Sequence, residues 1–265
     1  MPVINGLGWT FDTVAEQYEK FRPGYVDDLY KVIFEYYPVN ANSNVVEVGI
    51  GPGQATLPVL KTGCRLTAVD PGERFSKLCK EKFKDFEGFS FIAEAFENAV
   101  FEEDTCDFLY SASAFHWIPE EVGYNKVFAM LKSGGAFARF ANHPFRDKGN
   151  PELSDEIDEQ YRKYYSVYHG KPHCPPAEYT EEDAVQRAAI AEKYGFTDIQ
   201  HHMFYRIRTF TAEEYIKLLG TYSDHIAIAE PVRSEFFSKI HDAIVAHGGK
   251  INIYDTMDLQ LARKP

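Results

Sequence analysis

Short β-branched and apolar runs alternate along this chain with longer stretches whose apolar residues recur at helical spacing. Asn44 to Val48 (NVVEV) predicts a strand that enters the turn Gly49-Ile50-Gly51-Pro52-Gly53. Gln54 to Lys61 predicts a helix closed by Gly63, with Pro58 near its start, where proline does least harm. Arg65 to Val69 is a second strand and ends on Asp70. Glu73 to Lys84 is a helix that places Phe75, Leu78, Cys79 and Phe83 on one side. Phe89 to Ala93 and Phe108 to Ala112 are the third and fourth strands. Glu120 to Lys132 is a helix opened by Pro119 and followed by Gly134-Gly135, and Ala136 to Ala141 is the fifth strand.

The second half is less regular. Asn150 to Tyr168 is a charged, Tyr-rich helix that runs into the bend Lys171-Pro172-His173-Cys174-Pro175-Pro176. Glu181 to Tyr194 is a helix capped by Gly195, and Phe196 to Arg208 alternates as a sixth strand. Thr211 and Glu214 form a capping box that opens helical segments lasting to His247. Gly248-Gly249 turns the chain into a last strand, Ile251 to Leu261. The alternation predicts an α/β fold: a doubly wound, Rossmann-like, seven-stranded and mostly parallel sheet with helical cap insertions. The whole chain, 1–265, reads as one domain. Its cap insertions fall near 145–180 and 211–248, where they would cover the carboxyl edge of the sheet.

Composition narrows the class. With 45% hydrophobic residues among 265, the chain can bury a sizeable core, and it is not a disordered polymer. A net charge of −12 repels phosphate backbones and argues against nucleic acid as a partner. No apolar run reaches the roughly 20 residues of a membrane helix, and no basic start leads an apolar stretch. Cys64, Cys79, Cys106 and Cys174 are scattered, which excludes a thiolate metal site and suits a reducing compartment. The expectation is a soluble cytoplasmic protein, monomer or homodimer, with no membrane or metal and a small-molecule partner.

The strand, glycine turn and helix around residues 44–61 make a nucleotide-type site. Glycine permits positive φ and close approach to backbone amides, and the helix adds the positive end of its dipole. Asp70, at the end of the next strand, can accept both hydroxyls of a ribose. The dinucleotide fingerprint fails, because its third glycine would fall on Gln54 or Thr56. A P-loop fails as well, for no Gly-Lys-Ser/Thr follows.

Glu47-x-Gly49-x-Gly51-x-Gly53 with Asp70 resembles motif I of the class I S-adenosylmethionine-dependent methyltransferases. Glu94-Ala95 resembles the family's adenine-contacting position, although Glu94 is one methylene longer than the Asp common there. Ser111 to Ile118 (SASAFHWI) resembles the segment after the fourth strand in its small-molecule branch. Phe11-Asp12-x-x-Ala15-x-x-Tyr18-x-x-x-Arg22-Pro23 resembles a lid, over about 9–30, that closes on the cofactor. The resemblance is strong over roughly 9–142 and is nearest the branch that includes trans-aconitate methyltransferase. It implies S-adenosyl-L-methionine as cofactor. Gly49, Gly51 and Gly53 would meet its methionine moiety and Asp70 its ribose. Glu94, Ala95 and Pro71 would lie at the adenine. The Ser111 carbonyl would face the amino group, Glu47 would orient the turn and the ammonium, and Tyr18 and Arg22 would close over the carboxylate.

Substrate recognition is the open slot. His116 is the candidate base, and Trp117 and His143 are candidate substrate contacts, since both follow strands on the ligand-binding edge. His201 and His202 alternate faces, and His169 and His173 read as solvated loop residues. Tyr161, Tyr164, Tyr165 and Tyr168 share one helix face, either packed on the fold or walling a pocket. Arg139, Arg146, Arg206 and Arg208 either clamp an acidic substrate or form exposed pairs of little net value. The implied activity is methyl transfer to a small molecule, an organic acid among the acceptors. A cofactor-binding module without turnover and a nicotinamide-dependent oxidoreductase are the alternatives.

Overall fold

In the computed structural model, which describes residues 24–265, seven strands form one sheet in the order β3-β2-β1-β4-β5-β7-β6. They are β1 (Asn44–Val48), β2 (Arg65–Val69), β3 (Phe89–Ile92), β4 (Cys106–Ala112), β5 (Leu131–Phe145), β6 (Thr197–Thr211) and β7 (Lys250–Arg263). β1 to β5 pair in parallel, whereas β7 runs antiparallel to both β5 and β6. The doubly wound, mostly parallel sheet expected from the alternation is the observed one.

Parallel strands buried on both faces need apolar side chains on both, and β1 shows the consequence. Val45 faces one core with Leu66, Phe108 and Tyr110, and Val46 and Val48 face the other with Val69 and Leu109. Helices α1 (Asp27–Tyr36), α2 (Thr56–Leu60) and α3 (Glu73–Lys82) cover the first face through Leu29, Ile33, Val59, Leu60 and Cys79. Helix α4 (Glu120–Met130) covers the second through Tyr124, Val127 and Met130. The link 93–105 between β3 and β4 contains no helix. Lys126 of α4 instead donates to the carbonyls of Phe96, Glu97 and Ala99, and its ammonium lies over the Phe96 and Phe101 rings. A hollow of about 350 Å³ at the amino edge, lined in part by Val46, Thr67, Ser90 and Phe101, opens beside this link.

Three boundaries depart from expectation. Helix α4 stops at Met130 rather than Lys132, and Gly134-Gly135 lie inside β5, at a register shift against β4. β5 extends to Phe145 because β7 continues the ladder, pairing Phe145 with Tyr254. His143 therefore sits within the strand and not beyond it. Helix α5 (Pro151–Gln160) continues through a π-helical turn, Tyr161–Tyr165, into α6 (Ser166–His169).

Helix α7 (Glu181–Ala189) precedes β6, and α8 (Ala212–Leu219), α9 (Ser223–Ile226) and α10 (Val232–Ala246) follow it. Capping boxes at Thr180–Asp183 and Thr211–Glu214 start α7 and α8. Leu153, Ile157 and Tyr164 from the earlier block pack with Leu219, Phe236, Ile240 and Ile244 from the later one, around Ile251 and Ile253 of β7. None of the helices among the described residues is long and apolar enough to cross a membrane.

Candidate functional site

The turn after β1 is held from three sides. The Gly49 N–H donates to the Val69 carbonyl at 2.8 Å, the Gly53 N–H to Ile50 at 3.0 Å, and the Gly51 N–H to Asp70 Oδ2 at 3.0 Å. All three glycines have positive φ. They are not equivalent. A Cβ on Gly49 would meet the Ala114 methyl at 2.2 Å, and one on Gly53 would meet the Phe83 ring at 2.7 Å. Among the described residues a Cβ on Gly51 would meet nothing within 4 Å, so there the turn is packed behind Gly49 and Gly53 and open at Gly51. The other Asp70 oxygen accepts the Gly72 N–H at 2.9 Å, which fixes the carboxylate beside that opening.

Glu47 lies beneath the turn, 1% exposed, and its Oε2 accepts from Thr56 Oγ1 and Tyr110 Oη, each at 2.7 Å. Burial pushes its carboxyl up to about 7, against the pull of those two donors. Glu47 thus ties the start of α2 to β4. Glu94, exposed, and Ala95, half-buried, begin the 93–105 link beside the end of β2, where the Asp70 N–H donates to the Ile92 carbonyl at 3.2 Å. Pro71 is exposed just past Asp70. Ser111 is fully buried, and its Oγ donates to the Val48 carbonyl at 2.8 Å, joining the ends of β1 and β4. Tyr18 and Arg22 lie outside the described residues.

Beyond Ser111 the structure adds residues that spacing did not flag. Ser113 holds a positive φ of 54°, and its Oγ lies 2.7 Å from Tyr25 Oη and accepts the Asn142 N–H at 3.2 Å. A non-glycine residue in that conformation, at the carboxyl end of β4, is a feature that surrounding contacts must impose. Ala114, against Gly49, then leads into the 3₁₀ turn Phe115–Trp117. His116 is exposed on this turn beside Trp117, with ring centroids 5.3 Å apart. Desolvation, with positive charge nearby that includes Arg187 and Arg139, lowers the His116 imidazole below its usual range.

On β5, His143 Nε2 lies 2.8 Å from Asp258 Oδ1 of β7, and the ring stacks on Tyr179 at 3.7 Å and 7°. Asp258 is fully buried and also accepts from Tyr179 Oη at 3.2 Å and from Gln260, with Arg187 3.7 Å away. Burial raises its carboxyl, but His143 and Arg187 outweigh that and hold it below the usual range. A cavity of about 10 Å³ is bordered by Arg139 and Gln260, and among the described residues Arg139 Nε and Gln260 Oε1 have no hydrogen-bond partner. That is room for about one water.

The arginines depart from the exposed-pair reading. Arg139 is largely buried and donates to Tyr124 Oη at 3.0 Å. Arg206 and Arg208 both bind Asp255, itself 1% exposed. Only Arg146, paired with Asp155 and Asp158, keeps a substantial exposed surface. His173 is corrected too. Its side chain is 11% exposed, 2.9 Å from Asp158 and stacked on Tyr161, because the Pro-rich bend folds back onto the helix before it. Three of the four stripe tyrosines pack inward, with Tyr161 bonded to His225, Tyr164 to Glu235 and Tyr165 to Asp224, whereas Tyr168 is exposed and donates to the Ala227 carbonyl. His201 pairs with Glu181, and His202 lies 3.4 Å from Gln200.

A glycine turn open at the carboxyl edge, a fixed carboxylate one strand over and an antiparallel seventh strand define a class I, nucleoside-binding transferase architecture. Residues 46–138 match the methyltransferase domain family. An uncharacterized methyltransferase of Bacillus cytotoxicus is 30% identical over 217 residues, which cover 78% of this chain and 94% of that protein. One of Schizosaccharomyces pombe is 24% identical over 221 residues, 82% of this chain and 80% of that one. In fold, the chain is similar to Haemonchus contortus phosphoethanolamine N-methyltransferase 2 solved with S-adenosyl-L-methionine. The TM-score is 0.55 at 16% identity, covering 100% of this chain and 61% of that one. The chain belongs to the methyltransferase family and is an S-adenosylmethionine-dependent enzyme.

Proposed function

We propose that the enzyme methylates a small-molecule acceptor bound at the carboxyl ends of β4 and β5, under the helical blocks near 145–180 and 211–248. The observation that carries this reading is the opening at Gly51 with Asp70 fixed beside it, which leaves space and a carboxylate where a nucleoside sugar needs both. S-adenosylmethionine supplies an activated methyl group and its own leaving group. The chain's task is then to bind, align and exclude water.

Gly49, Gly51 and Gly53 would hold the methionine end against backbone amides, and Asp70 would take the ribose hydroxyls. Glu94, Ala95 and Pro71 would border the adenine, and the Ser111 carbonyl would face the ammonium. Glu47 would act from below by fixing the start of α2. Tyr18 and Arg22 would close the lid, with Trp117, His116 and His143 on the acceptor side. The finer resemblance, to the trans-aconitate methyltransferase branch, keeps organic acids among the acceptors, and Arg139 and Arg187 would supply positive charge there. The protein is expected to act as a monomer or homodimer in the cytoplasm.

Isothermal titration with S-adenosylhomocysteine tests the cofactor site. Binding is expected, and Asp70→Ala should weaken it by about 1–3 kcal/mol, the worth of charge-assisted bonds. No binding at millimolar ligand, or an unchanged affinity in Asp70→Ala, overturns the assignment.

A further inference from the structure

We propose that His143, oriented by Asp258, is a proton acceptor facing the methyl acceptor, so that the acceptor's nucleophile is a hydroxyl or amine that must lose a proton. This rests on the methyl-transfer reading above. A carboxylate acceptor is already ionised at neutral pH and would need no base.

The geometry has the parts of a base and its orienting carboxylate. Nε2 of His143 is taken by Asp258 at 2.8 Å, so Nδ1 is the nitrogen left for a substrate proton. Tyr179 covers one ring face at 3.7 Å, and the His143 side chain keeps 26% of its surface exposed. Asp258, fully buried and fed by Tyr179 and Gln260, cannot swing away. Continuity with the cofactor turn is short: Ala114 lies against Gly49, and the adjacent Ser113 binds the N–H of Asn142, the residue before His143.

In the step assigned to this pair, a lone pair of the acceptor oxygen or nitrogen forms the new bond to the methyl carbon. The carbon–sulfur bond breaks and leaves its electron pair on sulfur. The acceptor's proton passes to Nδ1, and Asp258 stabilises the resulting imidazolium. The proton then leaves to solvent. His143 is the catalytic residue and Asp258 a positioning residue. The titratable groups around His143 are Asp258 from β7, Tyr179 from the segment before α7, Asp183 and Arg187 from α7, Arg139 from β5, and His116 from the turn after β4.

Nitrogen-15-labelled histidine in the protein, held with S-adenosylhomocysteine, reads the ring directly. Expected is a neutral His143 protonated on Nε2 in the unsubstituted protein, a preference that Asp258→Ala removes. A neutral ring protonated on Nδ1, or a tautomer preference unchanged in Asp258→Ala, overturns the proposal. The tautomer is read in the unsubstituted protein, so the test survives a variant that fails to fold.

A second arm supplies labelled S-adenosylmethionine with a panel of phenols, alcohols, amines and carboxylic acids. His143→Ala should lower kcat/KM for hydroxyl or amine acceptors by about 100-fold or more, with S-adenosylhomocysteine affinity unchanged and imidazole restoring part of the rate. Turnover of carboxylic acids alone, or an undiminished rate in His143→Ala, overturns it. If no panel member is methylated, the tautomer decides. If S-adenosylhomocysteine fails to bind at all, the cofactor reading falls instead, and the ring measurement without it still judges the His143–Asp258 pair.

Discussion

At the scale of single residues, the cofactor turn separates glycines needed for packing from one needed for space. Gly49 and Gly53 are pressed against Ala114 and Phe83, whereas Gly51 faces open volume at φ +53°. Alanine substitutions should therefore diverge. Gly51→Ala pays only backbone strain, about 1–2 kcal/mol, and folds, but its methyl occupies the ligand's approach, so S-adenosylhomocysteine binding is lost in calorimetry. Gly49→Ala must also displace Ala114 and the end of β4, so its thermal midpoint should fall further than that of Gly51→Ala. Equal stability losses in the two would refute the distinction. The glycines and Asp70 were legible in the sequence because a strand, a glycine turn and a carboxylate one strand later are set by local order. Ser113, Tyr25 and Asp258 were not, since each gains its place from a partner 88 to 115 residues away in the chain.

At the scale of elements, six expected strands kept their place within a few residues because β-branched and aromatic runs between turn residues mark buried strands directly. The fifth kept its place too but grew at both ends, as polar Asn142 and His143 entered the ladder only through pairing with β7. Helix α1 overlaps the expected lid, about 9–30, only in its first turn, and no element was expected over the rest of it. Its buried stripe, Leu29, Tyr30 and Ile33, starts from Val26, which offers no capping side chain to mark the helix. The link 93–105 shows the opposite case, a crossover held without a helix by one ammonium on three carbonyls. Lys126→Met keeps the stem but removes those donors. It should cost about 1–3 kcal/mol in denaturant unfolding and speed amide exchange across 93–105. Because Glu94 and Ala95 begin this link, cofactor affinity should weaken as well. Unchanged exchange there would show that the link is held by Phe96 and Phe101 packing alone.

At the scale of the whole molecule, the pH dependence of folding follows from which buried groups change charge. Glu47 carries a carboxyl raised by burial from 4.5 to about 7. The folded protein thus binds more protons at this site than the unfolded chain between those values. Its stabilising share is complete below pH 4.5 and is lost as pH rises toward 7, on the order of 3 kcal/mol in total. Asp224 is lowered as His225 and Tyr165 outweigh its burial, so it loses stability only as pH falls below 3.8, outside the window. The excess of 40 acidic over 28 basic residues adds a self-repulsion that grows as carboxylates ionise. The total slope is therefore a sum, and a substitution is needed to isolate one group. Glu47→Gln keeps the shape and an oxygen for Thr56 and Tyr110 but cannot ionise. Unfolding free energies of the two proteins, measured in urea at pH 4.5, 5.5, 6.5 and 7.5, should differ by a quantity that shifts in favour of Glu47→Gln as pH rises and levels off above 7. A difference that stays constant across the series would mean that Glu47 is ionised throughout, with its charge already balanced beneath the turn.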